Sequence, residues 1–125
     1  MNYTDASILI VDDEEANRDI LSRRLIKEGY TVATAKGGKE ALEMLRTEHY
    51  DLVLLDIMMP GVDGYEVLAS IKSEPLLHDT QVIMISALSD KTTVRRCVEL
   101  GAADYVGKPF ELPFLKSRIR QTLLV

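Results

Sequence analysis

The chain has one cysteine, Cys97, in 125 residues. A lone thiol forms no internal disulfide and no thiolate metal cage, and no histidine stands near it in sequence. Disulfide-scaffold, structural-zinc and dithiol-redox readings are therefore excluded. Long apolar runs are missing too, none approaching the roughly 20 residues of a membrane-spanning helix. Met1 to Asp5 carry neither a basic segment nor an apolar core, so no secretion signal is read there. A cytoplasmic protein with no membrane partner is expected. Positive charge is in deficit: fifteen Lys and Arg face twenty Asp and Glu, for a formal net charge of -5. That balance argues against a broad nucleic-acid surface, and no direct nucleic-acid partner is expected. Arg23 and Arg24, like Arg95 and Arg96, read as solvated helix faces. There is no linker composition, internal repeat or low-complexity tract. What remains, 46% hydrophobic and 28% charged, suits one ordinary globular domain over residues 1–125.

Two apolar runs end in acid: Ile8, Leu9, Ile10 and Val11 before Asp12 and Asp13, and Leu52, Val53, Leu54 and Leu55 before Asp56. A continuous run of this kind is how a strand buried on both faces reads. Val82, Ile83, Met84 and Ile85 before Ser86 form a third, and Tyr30 to Ala33 and Ala102 to Val106 are two weaker candidates. Each is followed by apolar residues at helical spacing. These are Ile20, Leu21 and Leu25; Ala41, Leu42 and Leu45; Val67, Leu68 and Ile71; Val94, Val98 and Leu100; and Leu115, Ile119 and Leu123. Gly29 and Gly101 stand where the first and fourth helices should stop, and Pro75 where the third should. Met44 and Met84 read as core filling. Strict β-α alternation predicts an α/β, doubly wound fold with a parallel sheet covered by helices on both faces. In such a sheet the functional residues lie just beyond the carboxyl ends of the strands. That rule selects Asp12, Asp13, Asp56, Ser86 and Lys108.

Three carboxylates brought into a small space repel one another unless a cation sits among them, and hard oxygen ligands suit Mg²⁺. Asp12 and Asp13 equally suit a bland role at the start of the first helix, where free N-H groups and the dipole favour acids. Glu14 and Glu15 read as first-turn acids on a solvated face. Asp56 ends an apolar strand where the core meets the crevice, the place for a nucleophile that could carry a phosphoryl group. A phosphoryl transition state needs a fixed cation and hydrogen-bond donors. Lys108 and Ser86 supply these, and the small Ala87 leaves room for phosphoryl oxygens. His49 and His78 read as a surface helix end and a loop residue.

These motifs, Ile8 to Asp13, Asp51 to Pro60, Ser86-Ala87 and Lys108-Pro109-Phe110, resemble the receiver domains of two-component response regulators over essentially the whole chain. The resemblance implies a flavodoxin-like, five-stranded sheet in the order 2-1-3-4-5. It implies that Asp56 accepts a phosphoryl group from a sensor histidine kinase or phosphotransfer protein. Mg²⁺ is the implied cofactor, held by Asp13, Asp56 and the main-chain carbonyl of Met58, with Asp12 acting through water. Ser86, Ala87 and Lys108 would bind the phosphate, Ser86 and Tyr105 would form the switch, and Pro109 would follow a cis peptide bond. The surface of helix 4, strand 5 and helix 5 would then control an output domain or downstream protein, and it offers a possible homodimer face. The implied role is a phosphoacceptor switch and not an enzyme, assisting only its own Mg²⁺-dependent phosphorylation and dephosphorylation. The stretches Met84 to Leu88 and Val94 to Leu100 are similar to receivers of larger multidomain signalling proteins, including cyclases and hybrid kinases, so a longer parent chain is expected.

The chain also departs from the family pattern. Met58 and Leu88, two residues beyond Asp56 and Ser86, are apolar where many members are polar or acidic, so neither can position an attacking water. Val94 and Phe114 stand where the transcription-factor subfamily pairs a base with an acid across its dimer interface, while Asp104 and Arg118 could retain another part of that network. Three rivals remain. A haloacid-dehalogenase-type phosphatase needs a second acid where Met58 stands. A flavodoxin-like cofactor binder would set its phosphate against Asp12, Asp13, Glu14 and Glu15. A receiver that no longer takes phosphate would not need all five site positions filled.

Overall fold

The computed structural model describes residues 5–88 and 90–124. The domain bounds expected from the sequence, 1–125, run past these at both ends. Strands and helices alternate throughout: β1 (Ser7–Val11), α1 (Glu15–Lys27), β2 (Thr31–Ala35), α2 (Gly38–Thr47), β3 (Leu52–Asp56), α3 (Gly64–Ser73), β4 (Gln81–Ser86), α4 (Lys91–Glu99), β5 (Asp104–Gly107) and α5 (Leu112–Leu123). All pairings are parallel and the strand order is β2-β1-β3-β4-β5. Order reverses at β1, which pairs with β2 on one side and β3 on the other. The crevice between β1 and β3 is therefore where such a sheet places its functional groups.

The uninterrupted apolar runs are explained by two cores. Leu9, Val11, Val53, Leu55, Val82 and Met84 point to the side covered by α2, α3 and α4. Their neighbours Ile8, Ile10, Leu52, Leu54, Ile83 and Ile85 point to the side covered by α1 and α5. Side chains alternate between faces along a strand, so a strand buried twice carries no polar residue on either set. Where α1 ends, Gly29 takes φ 106°, and the amides of Gly29 and Tyr30 reach the carbonyls of Ile26 and Leu25. Residues with a Cβ are strained in that left-handed region, so glycine closes the helix there.

Two helical faces differ from expectation. The fourth-helix spacing predicted Val94 and Val98 facing inward, yet α4 buries Thr93 and Cys97, and Val98 is 62% exposed. Both the hydroxyl and the amide of Thr93 bond to the Asp90 carboxylate, at 2.6 and 3.2 Å. A satisfied hydroxyl can be buried, and apolar periodicity gives it no weight. In α1 the buried residues are Leu21 and Leu25, while Ile20 is exposed. Strand bounds also move: β2 starts one residue and ends two residues later than its apolar run, and β5 starts two and ends one later, as the backbone pairing places them.

The turn after β3 is built on a close approach. A Cβ on Gly64 would lie 2.4 Å from the carbonyl oxygen of Asp56 and 2.6 Å from Cα of Ile57. Backbone cannot yield as a flexible side chain does, so Gly64→Ala should destabilise the domain by about 1–3 kcal/mol or more. A urea titration reads this directly, and an unchanged midpoint would show that the turn can open without cost.

Candidate functional site

The carboxyl ends of β1, β3, β4 and β5 deliver the groups of the site. β1 ends at Val11, and Asp12, 4% exposed, follows at once, with Asp13 exposed beyond it. Asp56 is the last residue of β3 and is buried. One carboxylate oxygen from each of the three aspartates lies within 4.8 Å of the others. Ser86 closes β4 fully buried, and Lys108 follows β5. The structure thus gathers the acids and the lysine that the sequence singled out, from positions up to 96 residues apart.

The Lys108 ammonium sits 3.4 Å from Oδ2 of Asp12 and 3.4 Å from Oδ2 of Asp56. Oδ1 of Asp56 accepts the amide of Met58 at 3.2 Å. Burial pushes the Asp56 carboxyl above its usual range; Lys108 opposes this, the Asp12 charge adds to it, and the Met58 amide opposes it. Burial by itself would lower the Lys108 ammonium, but attraction to Asp56 and Asp12 outweighs it and the net shift is upward. One half-buried cation thus holds two buried carboxylates and leaves the third exposed, an uncompensated negative site. Hard oxygen donors at this spacing suit a small divalent cation.

The hydroxyl oxygen of Ser86 accepts the Leu88 amide at 3.1 Å, and the Ser86 carbonyl accepts the Lys108 amide at 2.8 Å. Tyr105 on β5 is half-buried, with its hydroxyl 3.5 Å from that same carbonyl. Ser86 therefore touches both the turn that leads into α4 and the strand that carries Tyr105. The Lys108-Pro109 peptide bond is cis. Ala87 is exposed and lines a cleft with Asp12, Lys108 and Phe110. Met58 is 60% exposed and Leu88 38%, and both face an apolar hollow shared with Tyr65.

The bland role of Asp12 is present as well. Its Oδ1 accepts the Glu14 amide at 2.9 Å, while Glu14, the residue that caps α1, makes no side-chain cap of its own. The sequence reading missed two supports on α1: Asn17 donates to Oδ2 of Asp12 at 3.3 Å, and Arg18 donates to the Asp12 carbonyl at 2.8 Å. The spacing of five and six residues is no recognised capping pattern, so no local signal marked them. The Arg96 guanidinium of α4 lies 3.9 Å over the Tyr65 ring of α3. Asp104 and Arg118 pair within this chain, and Phe114 is half exposed. His49 and His78 lie at the opposite end of the sheet, paired with Asp51 and Asp79.

The sequence profile of the response regulator receiver domain matches residues 8–120. Among curated proteins, "Probable transcriptional regulator ycf27" of Cyanophora paradoxa is 46% identical over 123 residues, covering 98% of this chain and 50% of that protein. The chain spans about half the length of the curated relatives it matches. Among solved structures, the chemotaxis protein CheY4 of Vibrio cholerae superposes with a TM-score of 0.90 at 27% identity, covering 95% of this chain and 99% of that one. The response regulator TrrA of Thermotoga maritima, solved in complex with Mg(2+)-BeF, gives a TM-score of 0.84 at 37% identity, covering 94% and 99%.

Proposed function

This chain belongs to the response regulator receiver domain family, and from that premise we propose that Asp56 takes a phosphoryl group from a phosphohistidine of a sensor kinase or phosphotransfer protein. The observation that carries the reading is the Lys108 ammonium bridging the buried carboxylates of Asp12 and Asp56, with Asp13 alongside. Oδ2 of Asp56 attacks phosphorus in line, the P-N bond breaks, and its electron pair returns to the imidazole, which takes up a proton. Asp13, Asp56 and the Met58 carbonyl would hold Mg²⁺, with Asp12 acting through water, and the cation would supply charge neutralisation for the phosphoryl oxygens. Lys108 already touches the nucleophile, so it can follow a phosphoryl oxygen with little movement. The net negative charge of the three-aspartate cluster speaks for a cation there, and the same charge speaks against a bound flavin phosphate. Met58 in place of a second acid speaks against a phosphatase of the haloacid-dehalogenase type.

The switch follows from what Ser86 holds now. A phosphoryl oxygen offers its hydroxyl a charge-assisted bond, which turns the hydroxyl away from the Leu88 amide and loosens the turn into α4. Tyr105, against the Ser86 carbonyl, responds on the same side. Moving a population from 1:99 to 99:1 takes about 5.5 kcal/mol, within reach of a few such bonds. With Met58 and Leu88 apolar, no side chain at those places orients water for hydrolysis, so self-dephosphorylation proceeds unaided. The finer assignments belong to the same proposal: a cytoplasmic setting, an output domain in a longer parent chain, a homodimer through α4, β5 and α5, and no direct nucleic-acid contact by this domain. Two-fold pairing through that face would rest on apolar contact at Val94 and Phe114 in place of an ion pair.

Beryllofluoride, a phosphoryl mimic, tests the switch. In the wild type, amide signals of residues 90–106 should shift on adding it with Mg²⁺. Ser86→Ala should bind the mimic yet confine the shifts to the site. Lys108→Ala should do likewise, with the loss of a charge-assisted bond worth about 1.5–3 kcal/mol. Shifts in both variants as far-reaching as in the wild type, at saturating mimic, would remove Ser86 and Lys108 from the route.

A further inference from the structure

We infer that Arg18 is a positioning residue for the proposed Mg²⁺ site: by gripping the Asp12 carbonyl it sets the peptide group that aims Asp13 at the metal position. The inference rests on the Mg²⁺ reading given above and adds a residue that touches neither metal nor phosphoryl group.

Asp12 lies one residue past the end of β1. Its amide still belongs to the sheet, donating to the Ala35 carbonyl at 3.2 Å. Its carbonyl has left the ladder and is taken by Nη1 of Arg18 at 2.8 Å. The side chain of Asp12 is held three ways, by the Glu14 amide, Asn17 and Lys108. Asp13 is exposed, and no hydrogen bond or ion pair to its carboxylate is found among the described residues. What orients Asp13 is therefore its own backbone, and the peptide unit joining Asp12 to Asp13 is rigid and planar. Fixing the carbonyl end of that plane fixes the N-Cα bond of Asp13, the axis from which its side chain departs. Arg18 is suited to the task because it sits in the first turn of α1, with its backbone amide bonded to Glu14, and is half-buried. No carboxylate among the described residues pairs with its guanidinium, and its side chain donates to this carbonyl.

Charge and position make opposite demands, and the sign of one measurement separates them. A guanidinium near a dication site repels the dication, so removing its charge should by itself strengthen Mg²⁺ binding. Losing a support of the ligand turn should weaken binding, as outer partners of metal ligands do by about 10–100-fold. The decisive variant is Arg18→Met, which keeps an unbranched stem of good helix propensity while losing charge and donors together. Arg18→Lys retains the charge and one flexible donor.

The experiment is a Mg²⁺ titration of the intact domain followed by amide chemical shifts, with metal-free melting curves alongside. Expected is Mg²⁺ binding weakened about tenfold in Arg18→Met, partly restored in Arg18→Lys. In the metal-free Met variant, the Asp13 and Glu14 amide signals should be displaced while the melting midpoint stays near that of the wild type. Binding in Arg18→Met equal to or tighter than wild type would overturn the positioning role and leave the metal reading intact. A lower midpoint with unchanged affinity would also overturn it, leaving Arg18 a support of the fold only. A wild type without any Mg²⁺-dependent shift at the three aspartates would instead overturn the metal reading, and this inference with it.

Discussion

Asp56→Asn should abolish labelling of the domain by acetyl phosphate and Mg²⁺, read as the loss of the phosphoryl adduct in intact-mass spectra and of its mapped peptide. The amide keeps the shape of the carboxylate and can still accept the Met58 N-H, so the turn after β3 stands, but the anionic group proposed as the nucleophile is gone. An adduct of undiminished yield would assign the chemistry elsewhere. The same substitution carries a stability test with a definite sign. Burial holds the Asp56 carboxyl above its ordinary range, so the ionised form is the one the fold disfavours. A folded pKa above the unfolded one means that the associated stability is fully present below the ordinary aspartate range and is lost as pH rises through the raised value. At neutral pH, Asp56 is a net cost to the metal-free protein. Asp56→Asn should therefore melt higher than the wild type at neutral pH without metal, and the difference should close on acidification below the aspartate range. A variant that melts lower at neutral pH would mean that the lost Lys108 contact outweighs the relieved burial.

Mg²⁺ should raise the melting midpoint of the wild type strongly, because it binds the folded arrangement of carboxylates and not the unfolded chain. At 100 times its dissociation constant a ligand adds about 2.7 kcal/mol, a shift on the order of 10 °C for a domain of this size. Asp13→Ala should leave the metal-free midpoint nearly unchanged, since Asp13 is exposed, yet remove most of the Mg²⁺-dependent gain. Equal gains in the two proteins would place the cation elsewhere. Calcium at the same concentration is a useful control, since it accepts longer and more numerous oxygen contacts than a site of this size offers.

Much of this was legible without coordinates, for a physical reason. Strands buried on both faces have no choice but continuous apolar residues, so β1, β3 and β4 announce themselves. Right-handed crossovers then leave few arrangements of five strands and five helices, and an acid at the end of such a run stands at the crevice. Asp12, Asp13, Asp56, Ser86 and Lys108 were found by that rule alone, and the sheet brings them to one edge. Tyr105 and the Met58 carbonyl entered only through resemblance, because nothing local distinguishes them from an ordinary strand residue and a loop peptide.

Tertiary structure decided the rest wherever a residue answers to a partner distant in sequence. The sign of the Asp56 shift depends on burial set against a lysine 52 residues away. The inward face of α4 turned on Thr93, whose hydroxyl is satisfied by Asp90, and not on the valines that carry the apolar period. Arg18 has no sequence signal because it binds a backbone carbonyl, which every residue possesses. Patterning in the sequence determined which positions must be apolar and where the strands end, since those follow from local geometry and the exclusion of water. Packing alone determined which charges meet, because distances of a few ångströms between strand ends arise only once the sheet has formed.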